Sequence, residues 1–347
     1  MSRDQPTRRA VLGTIGGVAA VATGVRAAVA EDDGGRYAEV YRETIDGVVL
    51  VQVAGVDELD PGGLGSGFVY DDGHLVTNDH VVGDAEEVQL QFSDESWRSA
   101  TVVGADPYSD LAVVAVDDLP EVADPLTVAE DAPVVGEEVV ALGNPLGLDA
   151  SVSRGIVSGI DRSLPSPTGF DIPAAIQTDA PVNPGNSGGP LVAVDGDVLG
   201  VVFAGAGQTI GFAIAAALVR RVVPALIDDG EYDHPFLGAG VAPVTPPVAE
   251  ANDLEDTAGA LVLETAPSSP AADVFETPTE TESVDGTPVP VGGDVVVALA
   301  GEEIPNQDRL SAVLALEVAP DETVPVEVVR DGESTTLEVT AAARPEL

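Results

Sequence analysis

Between Val48 and Val223 the chain advances in short apolar runs, each cut off by Gly, Asp or Pro. The runs VVLVQV, GSGFVY, HLVTNDHVV, VQLQF, TVVGA, LAVVAV, EEVVALG, GIVSGI, PLVAV, DVLGVVFA and IGFAIA have the length and spacing of strands rather than of packed helices. A chain built this way must pack its sheets face to face or close them on themselves, so a mostly β sandwich or barrel is expected. Over 214–228 the pattern changes: IAAALVRRVVPALIDD has helical spacing and stops at Gly230, as a closing helix would. A second unit starts near Phe236, with strands in GALVLE, GDVVVALAGEEI and PVEVVRDGESTTLEVTA and a helix expected from Asn306 to Glu317. Within it VFETPTETESVDGTPVPV, near 274–291, is polar, proline-bearing and aperiodic, and reads as an inserted acidic loop.

Charge narrows the partners. Sixty acidic residues stand against fourteen basic ones, all arginine, for a formal net charge of -46. A carboxylate-rich surface without lysine stays hydrated where salt screens its self-repulsion, so the chain reads as a salt-adapted protein of a halophilic host that loosens at low salt. With 44% hydrophobic residues gathered into strand-like runs, it is not a disordered acidic chain. Nucleic acid is excluded as a partner, because its binding needs clustered basic side chains, and anionic lipid is disfavoured equally. Cysteine is absent, which removes disulfides, thiolate nucleophiles and cysteine metal sites.

The first thirty residues form a separate segment. TRRAVLGTIGGVAAVATGVRAAVA begins with paired arginines, crosses a weakly apolar stretch and ends in Ala28-Val29-Ala30, a small-x-small cleavage pattern. It resembles a twin-arginine export signal, and its four glycines and Arg26 leave the apolar run short for a bilayer. An extracellular or cell-surface protein is expected, with no stable membrane span after signal removal.

Of three histidines, His80 follows an alternating strand in LVTNDHVV, from whose end a side chain can project into a cleft. Asp110 opens the strand of DPYSDLAVV, and Ser187 is the serine of NPGNSGGPL. Together they supply a general base, an orienting carboxylate and a nucleophile. A serine hydroxyl is too weakly acidic to attack a peptide carbonyl unaided, so His80 would take its proton and later return it to the leaving amine. Asp110 would fix the imidazole tautomer. The glycines permit backbone angles closed to other residues, so that the amides of Gly185 and Ser187 can face a developing oxyanion. His74 follows the turn DDG and His234 lies in the connection between units; both read as solvated surface residues. With no cysteine and no HExxH pattern, neither a metal nor any other cofactor is expected. Asp106, four positions before Asp110, reads as a turn former with Pro107, and Ser66 in GSGFV as strand packing.

These blocks resemble the HtrA/DegP (Deg) family of serine proteases. GSGFV (65–69), LVTNDHVV (75–82), DPYSDLAVV (106–114), LGNPLGLDASVSRGIVSGI (142–160), IQTDAPVNPGNSGGPLV (176–192) and IGFAIA (210–215) occur in that family's order. The resemblance implies a chymotrypsin-like double β-barrel over 31–230 followed by a PDZ-like domain over 235–343, after the signal of 1–30. It maps the triad onto His80, Asp110 and Ser187, the oxyanion amides onto Gly185, Asn186 and Ser187, and the primary pocket onto Ile210, Gly211 and Phe212, which suits small aliphatic side chains. Asp79 stands where the family carries a small or amide residue; it reads as one more surface charge, the alternative being a carboxylate that raises the basicity of His80. In the second unit FLGAGV corresponds to the carboxylate-binding loop of a PDZ domain, giving Phe236, Leu237, Gly238 and Ala239 as peptide-binding residues. The implied partners are unfolded or misfolded polypeptides, peptide C-termini and copies of the chain itself in a homotrimer or larger homo-oligomer. RYAEVYRETIDGVV (36–49) resembles the family's amphipathic N-terminal segment. A chaperone or binding protein on the same scaffold, with latent or no proteolysis, is the alternative; an esterase would need a G-x-S-x-G elbow, and none is present.

Overall fold

The computed structural model describes residues 33–53, 63–143, 151–166, 168–183, 185–205 and 210–345. The export segment expected over 1–30 lies outside them. Helix α1 (Asp33–Thr44) leads into β1 (Val48–Gln52), β2 (Leu64–Val69), β3 (His74–Thr77), the single-turn α2 (Asp79–Val82), β4 (Glu87–Gln91), β5 (Trp97–Asp106) and β6 (Leu111–Ala115). These six strands close into a barrel in the order β1-β2-β3-β6-β5-β4. A second barrel follows, built from β7 (Glu138–Gly143), β8 (Ser151–Pro165), β9 (Asp171–Thr178), β10 (Pro190–Ala193), β11 (Val198–Gly205) and β12 (Gly211–Ala215), in the order β10-β11-β12-β9-β8-β7. The barrel expectation holds: most of these strands are largely buried, and an open sheet of such strands would leave its edges unpaired.

The two barrels share one core. Val76, Leu111 and Val113 of the first pack in the same cluster as Val140, Leu142, Ile172 and Val201 of the second, together with Leu218, Val219, Val222, Val223 and Leu226 of α3 (Ala216–Asp228). Helix α3 is the expected closing helix, and it crosses back onto the first barrel. At Gly104 on β5 a Cβ would stand 2.6 Å from the Leu226 carbonyl oxygen, so glycine is what lets helix and strand approach. Each fully buried Leu or Val here contributes about 1.5–3 kcal/mol of transfer free energy. At the N-terminal end, Tyr37 and Tyr41 of α1 pack on this core, and the Arg36 guanidinium reaches Glu138 on β7 at 2.6 Å.

Beyond α3 come β13 (Pro235–Phe236), β14 (Ala239–Pro243), α4 (Pro246–Ala251), β15 (Ala260–Thr265), β16 (Glu280–Val284), β17 (Thr287–Val291), β18 (Val295–Leu299), β19 (Glu302–Glu303), α5 (Gln307–Glu317), β20 (Thr323–Arg330), β21 (Glu333–Thr340) and β22 (Ala342–Ala343). The main sheet runs β14-β15-β18-β20-β21, so β14 is an edge. Asn306 caps α5 by accepting the Arg309 N–H at 2.9 Å. The stretch read as an acidic loop is instead a hairpin: β16 and β17 pair from Glu280↔Val291 to Val284↔Thr287 around Asp285 and Gly286, at φ 50 and 82. Asp-Gly supplies the two positive φ values of a type I′ turn, which outweighs the polar, proline-bearing composition.

Candidate active site

His80 sits in α2, the one turn after β3, and Asp110 ends the turn that joins β5 to β6. Because β3 and β6 are paired neighbours, with Thr77 opposite Ala112, the two residues meet at the same barrel end. Asp110 stands at φ 55, a conformation Asp tolerates, and is 5% exposed. Its Oδ1 accepts the His80 backbone N–H at 2.9 Å and its Oδ2 lies 2.7 Å from His80 Nδ1. Its carbonyl oxygen accepts Asn78 Nδ2–H at 2.9 Å and the Asp79 N–H at 3.2 Å. An ionised carboxylate at Nδ1 makes that nitrogen the donor, so Nε2 carries the free lone pair. The ring meets Phe203 of β11 edge-on at 5.6 Å, which places it at the seam between barrels.

The Ser187 loop is anchored to the first barrel from beneath. Ser66 on β2, fully buried, donates its N–H to the Ser187 carbonyl at 2.8 Å and its Oγ–H to the Gly185 carbonyl at 2.6 Å, while its own carbonyl accepts Thr77 Oγ1–H at 2.7 Å. Gly188, at φ 85, lies so close that a Cβ there would stand 2.1 Å from the Ser66 carbonyl oxygen, 2.3 Å from Thr77 Oγ1 and 3.2 Å from Asn78 N. The loop carrying Ser187 therefore rests on β2 and on the end of β3, three residues before His80. Gly185 adopts φ 99. The Asn186 N–H is spent on the Asn183 carbonyl at 3.0 Å, and its side-chain oxygen accepts Ser151 Oγ–H at 3.1 Å. Among the described residues no acceptor takes the Gly185 or Ser187 N–H, so of the three expected oxyanion amides these two remain available.

Ser66 is a site residue that sequence reasoning assigned to packing alone. Its GSGF setting gave a signal, but its partner lies 119 residues away. Ser66→Ala removes the hydroxyl donor from the half-buried Gly185 carbonyl, and is expected to lower kcat about tenfold, or about 1.4 kcal/mol of barrel-loop support for the transition state, with KM little changed. Steady-state cleavage of a labelled protein substrate checks it.

Two carboxylates tune the base. Burial alone would pull His80 below its ordinary 6.5, but the hydrogen bond and charge of Asp110, joined by the charge of Asp79, hold it above that value. Asp79 is half-buried rather than a plain surface charge, and burial, then the charges of Asp110 and Asp106, push it up to about 6. A base with a raised pKa must lose its proton before it can act, so kcat/KM is expected to rise through a pH above 6.5. In Asp79→Asn the acid limb of that profile moves to lower pH. The same variant gains stability at neutral pH, because a carboxyl raised in the fold favours folding below its unfolded pKa and loses that contribution as pH climbs through about 6. A pH–rate profile and paired thermal melts test both signs.

The remaining expected residues fall in two places. Ile210 is exposed, Gly211 is buried against Val182, and Phe212 is half-buried against the inter-barrel core; residues 206–209 before them, like 144–150 of the LGNPLGLDA block, lie outside the described residues. Phe236, Leu237, Gly238 and Ala239 lead into the edge strand β14, with the Leu237 and Gly238 carbonyls tied to the Ala271 and Ala266 N–H groups at 2.8 and 2.7 Å. His74 holds the Asp71 carboxylate at 2.9 Å at its turn, as a local surface contact. His234 is not solvated: it is 4% exposed and its Nε2 lies 2.7 Å from Asp106 Oδ2.

Two six-stranded barrels, with a histidine–carboxylate pair on one and a glycine-flanked serine on the other, place the chain among the trypsin-like serine peptidases. A trypsin-like peptidase domain family matches residues 65–201. The chain is 36% identical over 294 residues to Protease Do-like 1, chloroplastic, of Arabidopsis thaliana, covering 82% of this chain and 65% of that protein. It is 38% identical over 291 residues to a probable periplasmic serine endoprotease DegP-like of Pseudomonas fulva, covering 81% of this chain and 56% of that protein. It thus spans less than two thirds of the length of these curated relatives. Among solved structures, the HtrA-type protease AlgW with tripeptide superposes with a TM-score of 0.71 at 30% identity, over 90% of this chain and 98% of that one. The chain belongs to the HtrA/DegP family of trypsin-like serine proteases.

Proposed function

We propose that the chain is an exported serine endopeptidase that degrades unfolded or misfolded proteins through an acyl-enzyme formed on Ser187. The observation that carries this reading is the double contact of Asp110 with His80, which occupies Nδ1 and leaves Nε2 as the ring nitrogen able to accept a proton. His80 Nε2 takes the Ser187 Oγ proton as Oγ bonds to the scissile carbonyl carbon, and the Gly185 and Ser187 N–H groups receive the oxyanion. Collapse breaks the C–N bond, and the amine leaves with the proton held by His80. Water then attacks the acyl-enzyme, giving its proton to His80 and releasing the acid and a restored Ser187. The segment around Ile210, Gly211 and Phe212 would line the primary pocket and suit small aliphatic side chains.

The second unit, 235–343, would act as a PDZ domain for substrate capture or regulation. Its edge strand β14 starts at Ala239, directly after Leu237 and Gly238, which suits addition of a peptide strand with its terminal carboxylate at that connection. Salt adaptation, twin-arginine export and assembly into a trimer or larger oligomer complete the reading, on the acidic lysine-free composition, the 1–30 segment and the family respectively. Digestion of unfolded casein in molar salt by the wild type and by Ser187→Ala tests it: equal activity would end the serine-protease reading. Loss of cleavage with retained suppression of casein aggregation would add a chaperone role.

A further inference from the structure

Asp106 and His234 form a second histidine–carboxylate pair, four residues from Asp110 and remote in sequence from everything else at the site. Both side chains are 4% exposed and Nε2 lies 2.7 Å from Oδ2. Asp106 ends β5, and its carboxylate closes the turn that follows: Oδ1 accepts the Tyr108 N–H at 3.2 Å, and Oδ2 accepts the Ser109 N–H at 3.1 Å together with the Ser109 hydroxyl. The last residue of that turn is Asp110, whose backbone and side chain make four contacts with Asn78, Asp79 and His80.

A turn-closing Asp needs only backbone donors and works as well at the surface. Asp106 is instead buried and, among the described residues, reached from outside its turn by the side chain of His234, 128 residues along the chain. His234 belongs to the connection between α3 and β13 and is held firmly there. Its ring is edge-on to Tyr108 at 5.5 Å and to Tyr232 at 4.7 Å, and its carbonyl accepts the Arg344 N–H at 2.8 Å from the far end of the second unit. The Arg344 guanidinium covers Tyr108 at 4.8 Å and Phe170 at 4.7 Å, and the Tyr108 hydroxyl donates to the Pro345 carbonyl at 2.7 Å. Both ends of the second unit thus converge on residues 106–110.

We infer that His234 is a positioning residue for the peptide-cleaving site: it fixes Asp106, and through the 106–110 turn sets the angle at which Asp110 meets His80. Competence of the site then depends on the connection to the second unit being seated. This rests on the reading of His80, Asp110 and Ser187 as a triad.

The full chain is assayed in molar salt on labelled casein, with Ser187 acylation by a fluorophosphonate followed in parallel. In His234→Ala, kcat and the acylation rate are expected to fall about 10- to 100-fold, as small misplacements of a catalytic group do, with KM within about twofold. His234→Gln, whose side-chain N–H can reach Asp106 Oδ2, is expected to recover most of the loss. If His234→Ala does not fold, Asp106→Asn carries the same expectation, since it keeps an acceptor for the turn and changes the partner His234 meets. A folded His234→Ala or Asp106→Asn with wild-type kcat overturns the inference, and so does a loss shared equally by KM and not rescued by Gln. Cleavage that survives Ser187→Ala overturns the triad reading itself, and is distinguishable because Ser187→Ala is expected to be inactive whatever His234 does.

Discussion

Ser187→Ala is expected to cut casein hydrolysis by about a millionfold, the loss that follows when a triad nucleophile is removed and only binding and oxyanion donors remain. Ser187 is half-buried and its hydroxyl has no hydrogen-bond partner among the described residues, so the thermal melt of the variant should match the wild type. Asp110→Asn belongs to the same measurement. Its amide would present an N–H donor at one of the two positions where Asp110 now accepts from His80, forcing the wrong tautomer, and about a ten-thousandfold loss is expected. Hydrolysis within tenfold of wild type in Ser187→Ala would mean that another nucleophile does the work.

Gly188→Ala is expected to be the most damaging single methyl in the molecule. Alanine at φ 85 is strained by itself, and its Cβ would sit 2.1 Å from a backbone oxygen that cannot move without breaking β2. Burying that clash costs about 4 kcal/mol or more, in the range reserved for overpacking combined with backbone strain. A melt about 10 °C lower and loss of casein cleavage are the expected readings. An unshifted melt with full activity would show that the loop does not rest on Ser66 and Thr77. The comparison with Ser187→Ala is informative, because one substitution removes chemistry and leaves the fold while the other removes both.

What was legible in the sequence is what local pattern can encode. Most strand runs, the closing helix before Gly230 and the helix expected from Asn306 depend on neighbours a few residues away and are found close to where the pattern puts them, whereas the run HLVTNDHVV is strand only to Thr77 and turns into α2 at Asp79. His80, Asp110 and Ser187 could be proposed from sequence because each sits inside its own distinctive block, and the structure joins the first two of them. Ser66, Asp106 and His234 were not, since a buried hydroxyl or a buried hydrogen-bonded side-chain pair is defined by a partner more than a hundred residues away. Asp79 was misread for a related reason: burial beside Asp110 depends on the tertiary path of the turn, and charge-rich composition made one more surface carboxylate the easy reading. The β16–β17 hairpin was available in Asp285-Gly286, and proline and glutamate in the flanking residues hid it.

Helix α3 bears on when activity can arise. All three candidate catalytic residues precede it in the chain, yet Leu218, Val222 and Leu226 complete the hydrophobic cluster in which the two barrels meet. A polypeptide that has emerged only as far as Ser187 holds every reactive group and no assembled cleft. Catalysis is therefore among the last properties this chain acquires as it folds, and the newly made protein is shielded from its own chemistry by being unfinished.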